Sequence, residues 1–177
     1  FTPEFTGPIY SVHAAGGEAK QLTSLDTTRG DFTHRYARFL PDDDHFLFYN
    51  RLESNSGGEK DEICVSSLSD TSITHLFYAK SNTEYANGQL LFMRDNILMT
   101  HSFNPSNQTL NGNARPLAED VSFNNAFSRG VFSVSDNGHL FYRKGEVTNG
   151  SYLKIYTIGE NVIDTIGELE DQQSYAL

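Results

Sequence analysis

An all-β repeat architecture is what this sequence predicts, and three observations lead there. First, three segments read nearly alike: Leu47-Phe48-Tyr49-Asn50-Arg51, Leu91-Phe92-Met93-Arg94 and Leu140-Phe141-Tyr142-Arg143. Each follows a tight-turn cluster, Pro41-Asp42-Asp43-Asp44, Asn87-Gly88 and Ser135-Asp136-Asn137-Gly138 respectively. Second, Asn-Gly pairs occur at Asn87, Asn111, Asn137 and Asn149, and both residue types tolerate the positive φ that two-residue hairpin turns demand. Third, the aromatic content is 13 Phe and 9 Tyr, a bias toward pleated, half-buried surface, while no segment carries a capped apolar stripe of helical period. A turn-then-apolar-strand unit recurring at intervals of roughly 45 residues points, in an all-β chain, to the four-stranded antiparallel meanders of β-propeller blades.

The elements follow in order. Ile9-Tyr10-Ser11-Val12 alternates, Gly16-Gly17 turns, and Lys20-Gln21-Leu22-Thr23 returns as a partner strand. Residues 24–35 read as a polar connection with turn chemistry at Arg29-Gly30-Asp31. Residues 36–40 and 45–50 flank the Pro-Asp-Asp-Asp turn as a hairpin. A Gly/Ser-rich loop over 54–60 leads to a second hairpin, 62–68 with 72–78, across Ser69-Asp70. In the next unit 90–93 and 97–103 flank Arg94-Asp95-Asn96, and the polar stretch 104–113 precedes a strand over 115–119. Residues 131–134 then pair with 139–143, 152–158 alternates, Gly159-Glu160-Asn161 turns, and 162–166 returns. Asn107-Gln108-Thr109 and Asn149-Gly150-Ser151 match glycosylation acceptors, which in Asn-rich loops mark only surface. The chain 1–177 thus reads as one domain: a half blade at 9–23, blades near 36–79, 84–119 and 130–169, and the start of a further strand at 173–177.

Composition excludes several function classes. A net charge of −10 and a pI near 4.9 argue against a nucleic-acid partner, which needs a basic face for the phosphates, and against an anionic membrane surface. No stretch approaches the ~20 apolar residues that span a bilayer, so no membrane insertion is expected in this segment. Cys64 is the only cysteine, which rules out an intrachain disulfide and a four-thiolate metal site. It lies in Ile63-Cys64-Val65, an apolar run that predicts a buried side chain. No phosphate-cradling Gly-rich loop, Gly-x-Ser-x-Gly elbow or His-Glu-x-x-His helix occurs.

Two stretches carry a family likeness. Ile9-Tyr10-Ser11-Val12 through Gly16-Gly17-Glu18 to Gln21-Leu22-Thr23 resembles the outer half of a TolB-type propeller blade, and Phe39-Leu40-Pro41-Asp42-Asp43-Asp44-His45-Phe46-Leu47-Phe48-Tyr49 resembles its inner hairpin. Asp43 stands where that family usually writes Gly; Ser133-Val134-Ser135-Asp136-Asn137-Gly138 resembles another copy of the turn, and Tyr85-Ala86-Asn87-Gly88 has lost the Pro-Asp pair. The resemblance implies a partial propeller of about three to four blades, since such rings close with about six or more units of roughly 40 residues. An incomplete ring, or open arc, exposes blade edges that invite self-association. The opening at Phe1 rather than Met adds the expectation of a fragment of a larger protein. Family members occur in periplasmic envelope proteins, in bacterial kinases and regulators, and as gating domains of prolyl-oligopeptidase-like peptidases. An extracytoplasmic, periplasmic location is the one the resemblance favours.

Candidate binding residues come from the same likeness. His34-Arg35-Tyr36 and Ser128-Arg129 stand just before inner hairpins, near the central channel of a propeller. Arg can hold a carboxylate bidentately and Tyr can stack, so a peptide or metabolite terminus suits them; inter-blade hydrogen bonding is the competing reading. Asp42, Asp43 and Asp44 offer clustered carboxylates of the kind calcium takes, but the downstream bidentate Glu is lacking and Asp is a good turn former. His13, His34, His45, His75, His101 and His139 are scattered at spacings unlike a metal site. No metal and no cofactor is expected, and no nucleophile–base pair can be nominated. The sequence therefore predicts a non-catalytic interaction or ligand-sensing module of a larger bacterial signalling or envelope protein, with a protein or peptide partner. The alternative is the substrate-gating propeller of a prolyl-oligopeptidase-like serine peptidase.

Overall fold

In a computed structural model of the chain, residues 1–53 and 60–145 are described in full, together with the backbone of strands at 153–157 and 164–166. A short ribbon opens the chain, β1 (Tyr10–Ser11) against β2 (Lys20–Gln21). Three four-stranded antiparallel sheets follow, each a meander in which consecutive strands are neighbours. The first holds β3 (Asp31–Phe39), β4 (His45–Leu52), β5 (Glu62–Ser67) and β6 (Thr74–Tyr78). The second holds β7 (Thr83–Ala86), β8 (Gln89–Arg94), β9 (Ile97–Asn104) and β10 (Thr109–Ala118). A second ribbon, β11 (Phe123–Asn124) with β12 (Arg129–Gly130), precedes the third sheet. That sheet comprises β13 (Phe132–Val134), β14 (His139–Arg143), β15 (Leu153–Thr157) and β16 (Asp164–Ile166). The protein is all-β, with antiparallel sheets of which none is closed. Among the described residues no helix is long and apolar enough to cross a membrane.

The turns follow from residues that tolerate left-handed backbone. Asn87 and Gly88 (φ 48° and 74°) join β7 to β8, and Asp95 and Asn96 (φ 50° and 62°) join β8 to β9. Two consecutive positive φ values match the right-handed twist of the strands on either side. Asp43 adopts φ 58°, so an Asp supplies there what Gly supplies elsewhere; its short side chain makes it one of the few residues that visit this region. Before β14 the turn closes through Gly138 N–H to the Ser135 carbonyl at 2.9 Å.

Three sequence expectations need correction. Residues 31–35 are the first half of β3 rather than a connection, and Asp31, Thr33, His34 and Arg35 are buried because each finds a polar partner. The polar stretch 104–113 is the hairpin between β9 and β10, with Leu110 paired to Phe103. Asn111-Gly112 lies within β10 at a register shift rather than at a hairpin tip. Strand β10 is an edge, which is where Pro116, with no N–H to donate, is tolerated. The expectations for 54–59, Asn149-Gly150-Ser151, 159–161 and 173–177 fall outside the described residues.

Packing explains why the repeated apolar segments exist. In β8, Leu90 and Phe92 join a core with Leu47, Tyr49, Ile63 and Val65 of the first sheet, while Leu91 and Met93 join another with Phe132, Val134, Leu140 and Tyr142 of the third. Successive strand residues point to opposite faces, so one four-residue run is buried on both sides. The first sheet is likewise two-faced: Phe46, Phe48 and Cys64 pack against Ile9 and Leu22 of the opening ribbon. Cys64 is buried, as its apolar neighbours predict.

The second ribbon is tied to the chain just ahead of β7, where Gly130 donates its N–H to Asn82 Oδ1 at 2.8 Å. A Cβ on Gly130 would lie 2.5 Å from Met93 Cγ and 2.7 Å from the Phe132 ring, closer than atoms in a packed core can stand. Gly130→Ala is expected to destabilise the protein by about 1–3 kcal/mol, read as a lower urea midpoint; an unchanged midpoint would show that this junction is loose.

Candidate functional site

Strand β7 touches both β3 and β13, so the first strands of all three sheets meet. Arg38 of β3 exploits that meeting. Its guanidinium reaches Glu84 of β7 at 3.4 Å and Asp136, just past β13, at 3.2 Å. Burial raises the Glu84 carboxyl above the usual range, with Arg38 and Arg129 acting in the opposite direction. Beside these charges a cavity of about 680 Å³ separates the first two sheets, lined by Arg38, Phe39, Pro41, Tyr85, Asn87 and Asp136 among others.

Tyr36, Ser128 and Arg129 come together nearby. Tyr36 lies where the β3–β4 register shifts, between Arg35 and Arg38, and takes φ 59°; Ser128 takes φ 53°. Left-handed backbone in a residue other than Gly costs about 1–3 kcal/mol, and both residues carry it at one junction. The Tyr36 hydroxyl donates to the Phe127 carbonyl, and the Arg129 guanidinium lies 6.0 Å from the centre of the Tyr36 ring. The Tyr36 ring in turn leans on Tyr49, 6.0 Å between centroids.

Tyr49 donates its hydroxyl to Asp61, whose other oxygen accepts the Leu52 N–H at 2.9 Å. Burial, then the bond to Asp61, push the Tyr49 phenol far above its ordinary range, against an opposing contribution from Ser128. Burial also raises Asp61. Tyr49 is thus held as a hydrogen-bond donor to Asp61.

His34 and Arg35 are spent elsewhere. Arg35 donates to the Phe5 carbonyl at 2.6 Å and covers the Phe5 ring at 4.5 Å, clamping the N-terminal segment. His34 is fully buried, bonded through Nδ1 to Thr23 Oγ1 at 2.8 Å and packed on Phe48. Its Nε2 has no hydrogen-bonding partner among the described residues, with Asp31 Oδ2 at 3.7 Å.

The three consecutive aspartates serve the turn. Asp42 accepts the His45 N–H at 2.9 Å and contacts the His45 ring at 2.6 Å; Asp44 accepts the Ser69 N–H and hydroxyl at 3.0 and 2.6 Å. The Asp42 and Asp44 carboxylates are committed to different partners.

A cluster invisible in the sequence lies on the ribbon-facing side of the first sheet. His75 Nδ1 stands 2.7 Å from Glu62 Oε2 and 3.3 Å from Cys64 Sγ. Arg29 caps the group, donating to both Glu62 oxygens at 3.0 Å and contacting His75 Nε2. Burial, then Glu62, push the Cys64 thiol well above its normal range, and Glu62 shares the imidazole nitrogen that faces the sulfur. In this arrangement burial disfavours the thiolate form of Cys64. Comparison with family models, curated proteins and solved structures found no match.

His34 generates a pH prediction. Desolvation pushes its pKa down to about 4, with Asp31 opposing and His75 reinforcing. Between pH 6.5 and 4 the unfolded chain therefore binds a proton that the folded chain refuses. Stability falls across that window as pH drops, by on the order of 3 kcal/mol from this residue. His34→Asn is expected to flatten the decline, and the difference between the two proteins isolates His34 from carboxylates titrating in the same range. Parallel curves of urea midpoint against pH would refute it.

Proposed function

We propose that the chain is a non-catalytic interaction or ligand-sensing module: about three to four blades of a TolB-type β-propeller, part of a larger bacterial signalling or envelope protein. The observation that carries this reading is the convergence of the three first strands on Arg38, Glu84 and Asp136 beside the 680 Å³ groove. The same consecutive strand order in all three sheets supports the blade assignment. So does the third sheet, where Leu140 is fully buried but Phe141 is 38 % exposed. At β14, then, one face carries an exposed aromatic, whereas both faces of β8 are covered.

The partner is a protein or peptide offering a carboxylate. Arg38 and Arg129 are the cations at the junction, Tyr85 and Tyr36 give flat apolar surface, and Asn87 stands at the groove wall. Among the described residues no activated nucleophile accompanies them, which favours binding over catalysis. The peptidase-gate reading shares these features and is separated from the module reading by the coding sequence around them. A downstream Gly-x-Ser-x-Gly hydrolase would select the gate, and an adjoining kinase or DNA-binding domain would select the sensor.

Binding is tested on the protein itself. Short peptides with a free C-terminal carboxylate, titrated into isotope-labelled protein, are expected to shift the amides of Arg38, Tyr85, Asn87 and Asp136. Arg38→Ala should weaken that binding about 10-fold or more, the worth of a charge-assisted hydrogen bond. Peptides that leave these amides unmoved, or bind Arg38→Ala equally well, would remove the groove from the reading.

A further inference from the structure

We infer that Glu62, Cys64 and His75 form a binding site for a zinc-class divalent cation, with Arg29 holding the ion's place when it is absent. The three side chains offer one oxygen, one sulfur and one nitrogen within 4.8 Å of one another. That donor set, with thiolate and imidazole present, suits zinc rather than calcium or magnesium, which take oxygen ligands.

Strand geometry brings them together. Glu62 and Cys64 are two residues apart on β5 and so share a face. His75 reaches that face through a β-bulge. Ile63 pairs with Phe77, and without an irregularity Cys64 would then pair with Leu76; instead it pairs with His75. Leu76 packs against the core between the first two sheets, while His75 lands beside the sulfur. Bulges of this kind re-aim side chains and cluster at functional positions.

The distances fit an ion after a small adjustment. A tetrahedral ion at ordinary bond lengths sets its donors about 3.4–3.6 Å apart. The sulfur–nitrogen separation of 3.3 Å is already close to that, and the oxygen–nitrogen separation of 2.7 Å has to open by about 0.7 Å. His75 is the most exposed of the three and provides the entry route, while Cys64 sits in an apolar wall with Phe46, Phe48, Ile9 and Leu22. An apolar shell around a polar cluster strengthens coordination. On the same side of the sheet the fully buried His34 leaves Nε2 without a partner.

Arg29 explains how the cluster tolerates being empty. Its guanidinium neutralises Glu62 and donates to His75 Nε2, which leaves the imidazole proton on Nδ1, between Glu62 and Cys64. The imidazole Nδ1 proton and the thiol proton of Cys64 therefore both lie where the three donor atoms converge, and coordination has to release the thiol proton to solvent as the sulfur binds the ion. Coordination through Nδ1 moves the imidazole proton to Nε2, where it faces the Arg29 donor head-on. The guanidinium must then withdraw, and its side chain, 39 % exposed on the surface turn before β3, has solvent to withdraw into. Cation and guanidinium are alternative counter-charges for the same carboxylate.

Competition titration of Zn²⁺ against a chromophoric chelator tests the site in the intact chain, with circular dichroism confirming the fold of each variant. One equivalent is expected to bind, His75→Ala and Cys64→Ser each weakening it at least tenfold. Co²⁺ is expected to give a thiolate-to-cobalt charge-transfer band that Cys64→Ser abolishes. Arg29→Ala is expected to tighten Zn²⁺ binding on the order of tenfold by removing the competing cation. No binding, binding indifferent to His75 and Cys64, or a folded wild type lacking the cobalt band would overturn the site. Weaker binding in Arg29→Ala would overturn the exchange of guanidinium for ion.

Discussion

Two-sided burial of β8 is the constraint on which the rest of this structure depends. Leu90, Leu91, Phe92 and Met93 are consecutive and all buried, so their side chains alternate between two separate cores. A strand in that position needs a sheet on each face, and the first and third sheets provide them. Burying large apolar side chains on this scale contributes on the order of 1.5–3 kcal/mol each, far more than any polar contact at the sheet edges. Once β8 is sandwiched, the placement of β7 beside β3 and β13 follows, and so does the meeting of Arg38, Glu84 and Asp136.

The strands and turns were legible in the sequence because their causes are local. The Leu-Phe-Tyr and Leu-Phe-Met runs report apolar strand faces, and Asn87-Gly88 and Asp95-Asn96 report hairpins through φ preferences that act within two residues. Residues 31–35 were not, because their polarity resembles a connection. Only the partners reveal a strand: Asn50 for Asp31, Thr23 for His34, the Phe5 carbonyl for Arg35. Each partner is distant in sequence or on another strand, and a buried polar group without one costs about 1–3 kcal/mol.

The candidate sites show the same division. Tyr36 and Arg129 lie near turns in the sequence, and the structure places the Arg129 guanidinium 6.0 Å from the Tyr36 ring centre. Arg38 and Glu84 could not be nominated, since a charged residue on an alternating strand reads as solvated surface until the neighbouring sheet is in place. His75 was hidden by the bulge: on strict alternation Leu76, not His75, stands opposite Cys64. A one-residue shift in pairing transfers a side chain to the other face, and nothing in the run from Thr74 to Tyr78 announces it.

Energetics and geometry point in different directions at the Arg38 junction. Arg38 is partly exposed and Asp136 almost wholly so, and ion pairs of that kind contribute about 0–1 kcal/mol. The contacts therefore do little to hold three sheets together that already share two apolar cores. Their consequence is positional. They fix a guanidinium at the mouth of a groove, next to a carboxyl that burial holds above its usual range. Glu84 is the poorer partner for being partly desolvated, since part of its ionised form's stabilisation has been lost. A ligand carboxylate entering the groove would meet a guanidinium that is partly exposed and already shared between Glu84 and Asp136. Strain at Tyr36 and Ser128 belongs to the same logic. The left-handed backbone is maintained by the packing around it, and it delivers the Tyr36 hydroxyl to the Phe127 carbonyl and the Arg129 guanidinium to the ring. The apolar cores provide the stability, and the polar contacts at the junction set where its side chains stand.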